Sequence, residues 1–439
     1  MSPELLTILL FLCLMVLLLM GFPVAFTLGG LSIVFGYFVF GFEFFNLLPM
    51  RVFGIMTNYV LIAVPLFVFM GVMLEKSGIA ERLLDTMSLL LGRLKGGLAL
   101  SVVVVGALLG ATTGVVGATV TTMGLLSLPA MLRRGFSKSL STGTIAAAGT
   151  LGQLVPPSVV MVLLASVMNV SVGDMFAAAL VPSAILVVAY LIYIYAIALF
   201  KPDEAPPIHA DELALFWRQG TLERIVRAFV LPAVLVVAVL GSIYTGIATP
   251  TEAAAVGAFV ATVLTAIEKK LTWNVLVEVC KETTFLTSMV FIILVGATAF
   301  GLVFRGIGGN DVLAHLLDGT GLSPTVFLAV VLIGIFIAGA FIDFIEIIFI
   351  FVPVITPLLV KYDFNLIWVG VLITVCLQTS FLTPPFGFTL FYLKGVAPPE
   401  ISTSDVYRGV VPFIALQLLV VALLLFFPEL ASLVQTVRR

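Results

Sequence analysis

Apolar runs of roughly twenty residues follow one another along the chain, separated by short polar gaps. A run of that length crosses a hydrocarbon core as an α-helix, and the two-residue alternation of a barrel strand is missing, so the runs read as membrane helices. In the first part they predict helices at 4–20, 22–41 and 58–76, a surface amphipathic helix at 79–92, an apolar pair at 97–131, an interrupted segment at 138–170 and a helix at 175–200. In the second part the runs fall at 229–247, 250–267 and 284–304, then, after a short connector, at 324–360, 366–393 and 409–428. Between them lies the longest polar stretch, a linker at 201–228. There Trp217 and the basic residues of "LALFWRQGTLERIVRAF" predict an interfacial helix.

Two interrupted segments stand out. "GTLGQLVPPSVVM", Gly149 to Met161, holds a proline pair inside an apolar run, and Pro384-Pro385 repeats it 228 residues later (384 − 156). The same offset pairs Gly106 with Gly334, Pro129 with Pro357, Arg133 with Lys361 and Gly78-Ile79 with Gly306-Ile307. Offsets of 227 and 230 pair Pro23 with Pro250 and Val181-Pro182 with Val411-Pro412. The chain is therefore two copies of one unit, 1–200 and 229–439. The apolar pairs have centres too polar and glycine-rich for independent spans, "GALLGATTGVVGATVTTMG" and "GAFIDFIEIIF", and read as re-entrant hairpins.

Five full spans and one hairpin per copy is an odd number of crossings, so the second copy should be inverted relative to the first. With the termini outside, sixteen of the 21 basic residues fall on the inner side, among them Lys76, Arg82, Arg93, Lys95, Arg133, Arg134 and Lys138; Arg51, Arg305, Lys361, Arg438 and Arg439 lie outside. That bias satisfies the positive-inside rule. Inverted repeats with broken helices in matching places place a transport site between the copies, where unwound carbonyls and half-helix ends face a cavity.

Composition agrees: 62% of the 439 residues are hydrophobic, 10% are charged and mean hydropathy is +1.27. The fold class is an all-α polytopic membrane protein. The N-terminal run lacks a basic n-region and is expected to stay as a first transmembrane helix. Cys13, Cys280 and Cys376 have no C-x-x-C spacing, and His209 and His315 sit in loops, so no catalytic or transition-metal site is read. A single acidic residue at depth, Asp343, does not make a protease dyad, and no phosphate-binding loop is present, so no enzyme and no nucleotide cofactor is expected.

"LVPPSVVMVLLA", "TSFLTPPFGFTLFYLKGVAP", "GATTGVVGATV" and "GFPVAFTLGG" resemble the large membrane subunit of the tripartite ATP-independent periplasmic (TRAP) transporters over essentially the whole chain. The resemblance implies an elevator-type carrier of the ion-transporter superfamily: hairpins and broken helices slide across a scaffold of the other helices. It also implies Na⁺ coupling, a separate small four-helix membrane subunit, a periplasmic binding protein, an organic acid anion as substrate and a bacterial inner-membrane location, with no nucleic acid partner. Na⁺ wants oxygen ligands, so one site is expected at Thr113, Gly114, Thr150, Gly152 and the Val155 carbonyl, and a second at Gly339, Asp343, Thr379, Ser380 and Thr383. Thr112, Gln153, Pro156, Arg305 and Pro384 are the expected substrate neighbours.

Asp343 at a hairpin tip, where an unpaired carboxylate costs about 3 kcal/mol, reads as functional by default. Glu346, three residues on, departs from the apolar residue of the family pattern. Arg305 reads either as a clamp for a substrate carboxylate or as a snorkelling helix-end anchor. Glu252 reads as a charge favoured by a helix N-terminus. The branch resembles one linked with 2-oxo acids and related monocarboxylates. The rival readings are a stand-alone dicarboxylate-type symporter of the same superfamily and a non-transporting structural subunit.

Overall fold

The computed structural model describes residues 2–113, 116–207, 221–385 and 387–433, and among them the chain forms nineteen α-helices and no strand. The first copy contributes α1 (Pro3–Leu19), α2 (Val24–Phe40), α3 (Glu43–Met56), α4 (Ala63–Lys76), α5 (Ile79–Leu90), α6 (Gly97–Thr113), α7 (Val116–Arg133), α8 (Lys138–Thr150), α9 (Val159–Met168) and α10 (Val172–Phe200). The second contributes α11 (Thr221–Tyr244), α12 (Pro250–Ile267), α13 (Trp273–Gly306), α14 (Gly309–Thr320), α15 (Pro324–Gly339), α16 (Phe344–Lys361), α17 (Leu366–Leu382), α18 (Phe388–Val396) and α19 (Thr403–Phe426).

Equivalent positions start equivalent helices. α7 and α16 begin 228 residues apart, as do α8 and α17. The caps repeat too: Ser137 accepts the Leu140 N–H at 3.2 Å to open α8, and Asn365 accepts those of Ile367 and Trp368 to open α17. Glu252 does more than sit at a positive helix end. Its carboxylate accepts the Thr249 N–H at 2.8 Å while Thr249 Oγ1 accepts from the Glu252 N–H, a complete capping box.

The copies interlock reciprocally. α2 packs on α13, and its counterpart α12 packs on α4; α8 packs on α19 and α17 on α10; α7 packs on α18 and α16 on α9. These three contacts each occur twice with the copies exchanged, as a two-fold axis between them requires. α8 and α17 lie deepest, buried from Leu140 to Thr150 and from Val369 to Leu382. At the α8–α19 crossing a Cβ on Gly143 would stand 2.1 Å from the Gly409 carbonyl oxygen, so only glycine permits that approach.

Several segments differ from the sequence expectation. The run at 284–304 is part of a 34-residue helix, α13, which extends back to Trp273 because its polar first turns carry Glu278 and Glu282 as partners of Lys76. In the first copy the equivalent stretch is broken: α3, not expected, ends at Met56, and a 3₁₀ turn at Tyr59–Ile62 precedes α4. Asn58 makes the break, its Oδ1 accepting the Val60 N–H at 3.0 Å and its Nδ2 donating to Ser166 Oγ at 3.2 Å. The short connector of the second copy is a helix, α14. Gly78 and Gly308, both left-handed at φ 70° and 79°, start α5 and α14, so Gly78 corresponds in conformation to Gly308 and not to Gly306. Among the described residues six helices are long and apolar enough to cross a membrane: Tyr59–Lys76, Val172–Phe200, Pro250–Ile267, Trp273–Gly306, Phe344–Lys361 and Thr403–Phe426. α16 is among them although it is the second arm of an expected hairpin. The proline breaks leave α9 and α18 too short to span.

The expected inner-side charges come together. Lys76 bridges Glu278 and Glu282 at 2.8 and 3.0 Å, Arg82 pairs with Glu268, and Lys201 pairs with Glu204 at 3.1 Å. Most of the linker, 208–220 with Trp217, lies outside the described residues.

Candidate functional site

A helix that meets a proline pair loses two donors and leaves carbonyls unsatisfied, and the two breaks resolve this differently. After Thr150, α8 tightens into a 3₁₀ turn at Leu151–Gln153, and Pro156 and Pro157 are joined by a cis peptide before α9 begins. One freed carbonyl is taken by a serine, Ser158 Oγ donating to the Gln153 oxygen at 2.6 Å, and Ser183 of α10 shares its one proton between its own Ala179 carbonyl at 2.6 Å and the Leu154 oxygen at 2.9 Å. At the second break α17 ends at Thr383, Pro384-Pro385 is likewise cis, and the Tyr407 hydroxyl donates to the Pro385 oxygen at 2.8 Å. Neither serine staple nor the tyrosine was expected from the sequence; Ser158 alone carried a signal, as a polar residue beside the prolines.

The first arm of each expected hairpin meets the break of its own copy. A Cβ on Gly110 would stand 2.5 Å from the Gly152 nitrogen, and one on Gly339 would stand 2.1 Å from Ser380 Oγ. Thr150, Gly152 and Gln153 are therefore held against the end of α6, while Thr379, Ser380 and Thr383 are held against the end of α15. Gly114 and the side chains of Thr112 and Thr113 lie outside the described residues. Asp343 caps α16, its Oδ1 accepting the Phe344 N–H at 2.8 Å.

The direction of the hydroxyl bonds decides what this cluster can hold. Thr150 donates to the Ala147 carbonyl at 2.8 Å, Thr379 to that of Val375 at 2.7 Å, Ser380 to that of Leu377 at 2.8 Å and Thr383 to that of Thr379 at 2.8 Å. A hydroxyl whose proton is committed back along its helix presents lone pairs on its other side. Such oxygens suit a hard cation, so the residue set fits Na⁺; the ion would supply a positive charge between the two breaks.

Two amides complete the interior. Gln153 is fully buried, and neither its Oε1 nor its Nε2 has a hydrogen-bond partner. An unpaired amide in such surroundings costs about 1–3 kcal/mol, so it is retained against stability. Gln378, missed in the sequence, is fully buried and donates through Nε2 to Thr150 Oγ1 at 3.3 Å, joining the copies across their boundary, while its Oε1 stays unpartnered. Its signal was present: it stands 228 residues after Thr150 as an amide in an apolar helix.

Arg305 is placed elsewhere. It lines a cleft with Arg51, Asn58, Ser166, Thr298 and Phe349, which neither Gln153, Pro156 nor Pro384 reaches.

The comparisons with known proteins agree with this architecture. The family model described as "Tripartite ATP-independent periplasmic transporter, DctM component" matches residues 11–430. The chain is 32% identical to the C4-dicarboxylate TRAP transporter large permease protein of Pseudomonas aeruginosa over 88% of each chain. It is 31% identical to the ectoine TRAP transporter large permease protein of Halomonas elongata over 94% of this chain and 95% of that one. The crystal structure of the Alcanivorax borkumensis YdaH transporter shares the fold with a TM-score of 0.62, covering 97% of this chain and 98% of that one at 16% identity. With its helical membrane fold and a family match from end to end, this chain belongs to the DctM-component family of tripartite ATP-independent periplasmic transporters and is a multi-pass permease component, not an enzyme.

Proposed function

We propose that the chain carries an organic acid anion inward across the bacterial inner membrane, driven by Na⁺ and moving by an elevator mechanism. The acid is received from a periplasmic binding protein, and a small four-helix subunit completes the membrane part. The observation that carries the coupling ion is the common direction of the Thr150, Thr379, Ser380 and Thr383 hydroxyls, which commits each proton to its own helix and leaves the oxygens as acceptors at two matched breaks, that of Thr150 also taking the Gln378 amide. The hairpin–break units supply the moving body, and the reciprocal packing of α2 on α13 and of α12 on α4 supplies the frame. Pairing of Lys76 and Arg82 with acids at the ends of α12 and α13 supports one shared inner face, and with it periplasmic termini.

Similarity of 32% to a C4-dicarboxylate permease and 31% to an ectoine permease supports a carboxylate as the common chemistry and leaves the choice of acid largely to the binding protein. A 2-oxo acid or related monocarboxylate is the first candidate. Two Na⁺ entering down 100 mV would release about 4.6 kcal/mol, enough for accumulation of roughly a thousandfold where the charge is not returned.

Uptake of a labelled 2-oxo acid into proteoliposomes, with the chain, its small subunit, the binding protein and an inward Na⁺ gradient, tests the proposal. Uptake that requires both gradient and binding protein is the expected result. Uptake that needs the gradient alone assigns a stand-alone symporter, and no uptake across a panel of acids would overturn carboxylate transport.

A further inference from the structure

A cleft of about 340 Å³ opens between α3 and α13 on one side and α9 and α16 on the other, large enough for a small organic acid. Helical spacing aims its walls. Arg51 and Gly54 share one face of α3, Asn58 follows at the break just past its end, and Leu294, Thr298, Gly301 and Arg305 share one face of α13. Arg305 Nη2 lies 3.7 Å from where a side chain on Gly301 would begin, so the guanidinium folds back over that glycine into the cleft.

The electrostatics of this cleft are incomplete as they stand. Neither Arg51 nor Arg305 belongs to an ion pair among the described residues, and the charge acting on Arg305 is that of Arg51, of the same sign. No carboxylate lines the walls; Glu346, the nearest acid on the same face of α16, lies one turn beyond Phe349 toward the hairpin tip. Ser166 accepts from Asn58 Nδ2, so its own proton is free to donate, and Thr298 adds a second hydroxyl. Two planar cations with hydroxyl donors between them match the oxygens of a carboxylate, and Leu294 and Phe349 offer apolar surface for a carbon skeleton.

We propose that this cleft receives a carboxylate of the incoming acid, gripped between Arg51 of the first copy and Arg305 of the second; this rests on the carboxylate-transport reading above. The grip spans both copies, and its other wall is α9, which leaves the first helix break, and α16, the second arm of the expected second-copy hairpin. An anion held there is in contact with the body that the elevator reading moves.

Charge-selective labelling tests it on the full chain in nanodiscs, without transport. Thr298→Cys is made with Cys13→Ala and Cys280→Ala, leaving only buried Cys376, and Ser166→Cys serves if the first variant fails to fold. The rate with a sulfonate-bearing methanethiosulfonate is divided by the rate with its trimethylammonium analogue. The ratio should fall at least about tenfold in Arg51→Gln/Arg305→Gln and be largely restored by Arg51→Lys/Arg305→Lys. Pyruvate, 2-oxoglutarate or succinate should slow labelling in the arginine background alone. A ratio indifferent to the double glutamine change, or labelling that none of these acids slows, overturns the proposal. Arginine-dependent protection in a protein that shows no uptake keeps the carboxylate site and removes the transport reading, while uptake with arginine-independent labelling does the reverse.

Discussion

The first copy stabilises its helix break with borrowed hydroxyls, and the second leaves side-chain oxygens unspent. Ser158 and Ser183 cover the carbonyls of Gln153 and Leu154, whereas the second break has one such donor, Tyr407, and places Ser380 and Thr383 where the first has Gly152 and Val155. The turn before α16 adds Asp343. A two-fold backbone therefore carries two chemically different breaks: among the described residues the first offers main-chain oxygen and Thr150, and the second offers four oxygen-bearing side chains. The frames differ in the same sense. α13 is continuous for 34 residues, while its counterpart is cut at Asn58 into α3 and α4, and the cut lets Arg51 and Arg305 share one cleft.

The largest effect should come from the helix crossings. Gly143→Ala pushes a Cβ onto the Gly409 backbone oxygen and should cost about 3 kcal/mol, because two buried backbones cannot both move aside. At the matching crossing in the second copy, Gly370→Ala meets the flexible end of Met175 and should cost under about 1 kcal/mol. Thermal unfolding in detergent compares them, and equal losses would show that the crossings are equally tight.

Next come the buried amides. Gln153→Met removes two unpartnered atoms and should raise stability by about 1–3 kcal/mol while uptake drops about tenfold or more. Gln378→Met gives up a bond to Thr150 as well, so its gain should be smaller. A stability loss in Gln153→Met would mean that the amide is satisfied in the working protein.

The cation sites follow. Asp343→Asn and Thr383→Val should each raise the Na⁺ concentration for half-maximal uptake about tenfold, near 1.4 kcal/mol, while Val155→Thr should leave it unchanged or lower it. Unchanged Na⁺ dependence in both second-copy variants removes the assignment there. A modest effect belongs to the broken frame helix: Asn58→Leu loses the cap on Val60 and the bond to Ser166 and should cost about 1 kcal/mol. No loss would show that Arg51 is positioned by packing alone.

Much of this was legible in the residues. Apolar runs bounded by caps located most helices to within a few positions, since a membrane helix must satisfy its backbone internally and advertises its length. The proline pairs gave the breaks, and the offset of 228 gave the correspondence. α3 was missed because Pro49 and the polar residues around it obscure its apolar pattern, and α13 was read too short because its first turns are polar.

By itself the sequence determined the membrane class, the duplication, the breaks and the residue types gathered near them, because hydropathy, proline chemistry and internal similarity are local properties of the chain. Only the tertiary structure decided how those residues are used. Hydroxyl direction at Thr150 and Thr383, the burial of Gln153 without a partner, the Gln378–Thr150 bond and the meeting of Arg51 with Arg305 depend on segments hundreds of residues apart coming together. No local pattern encodes that, since such contacts exist only after the two copies pack.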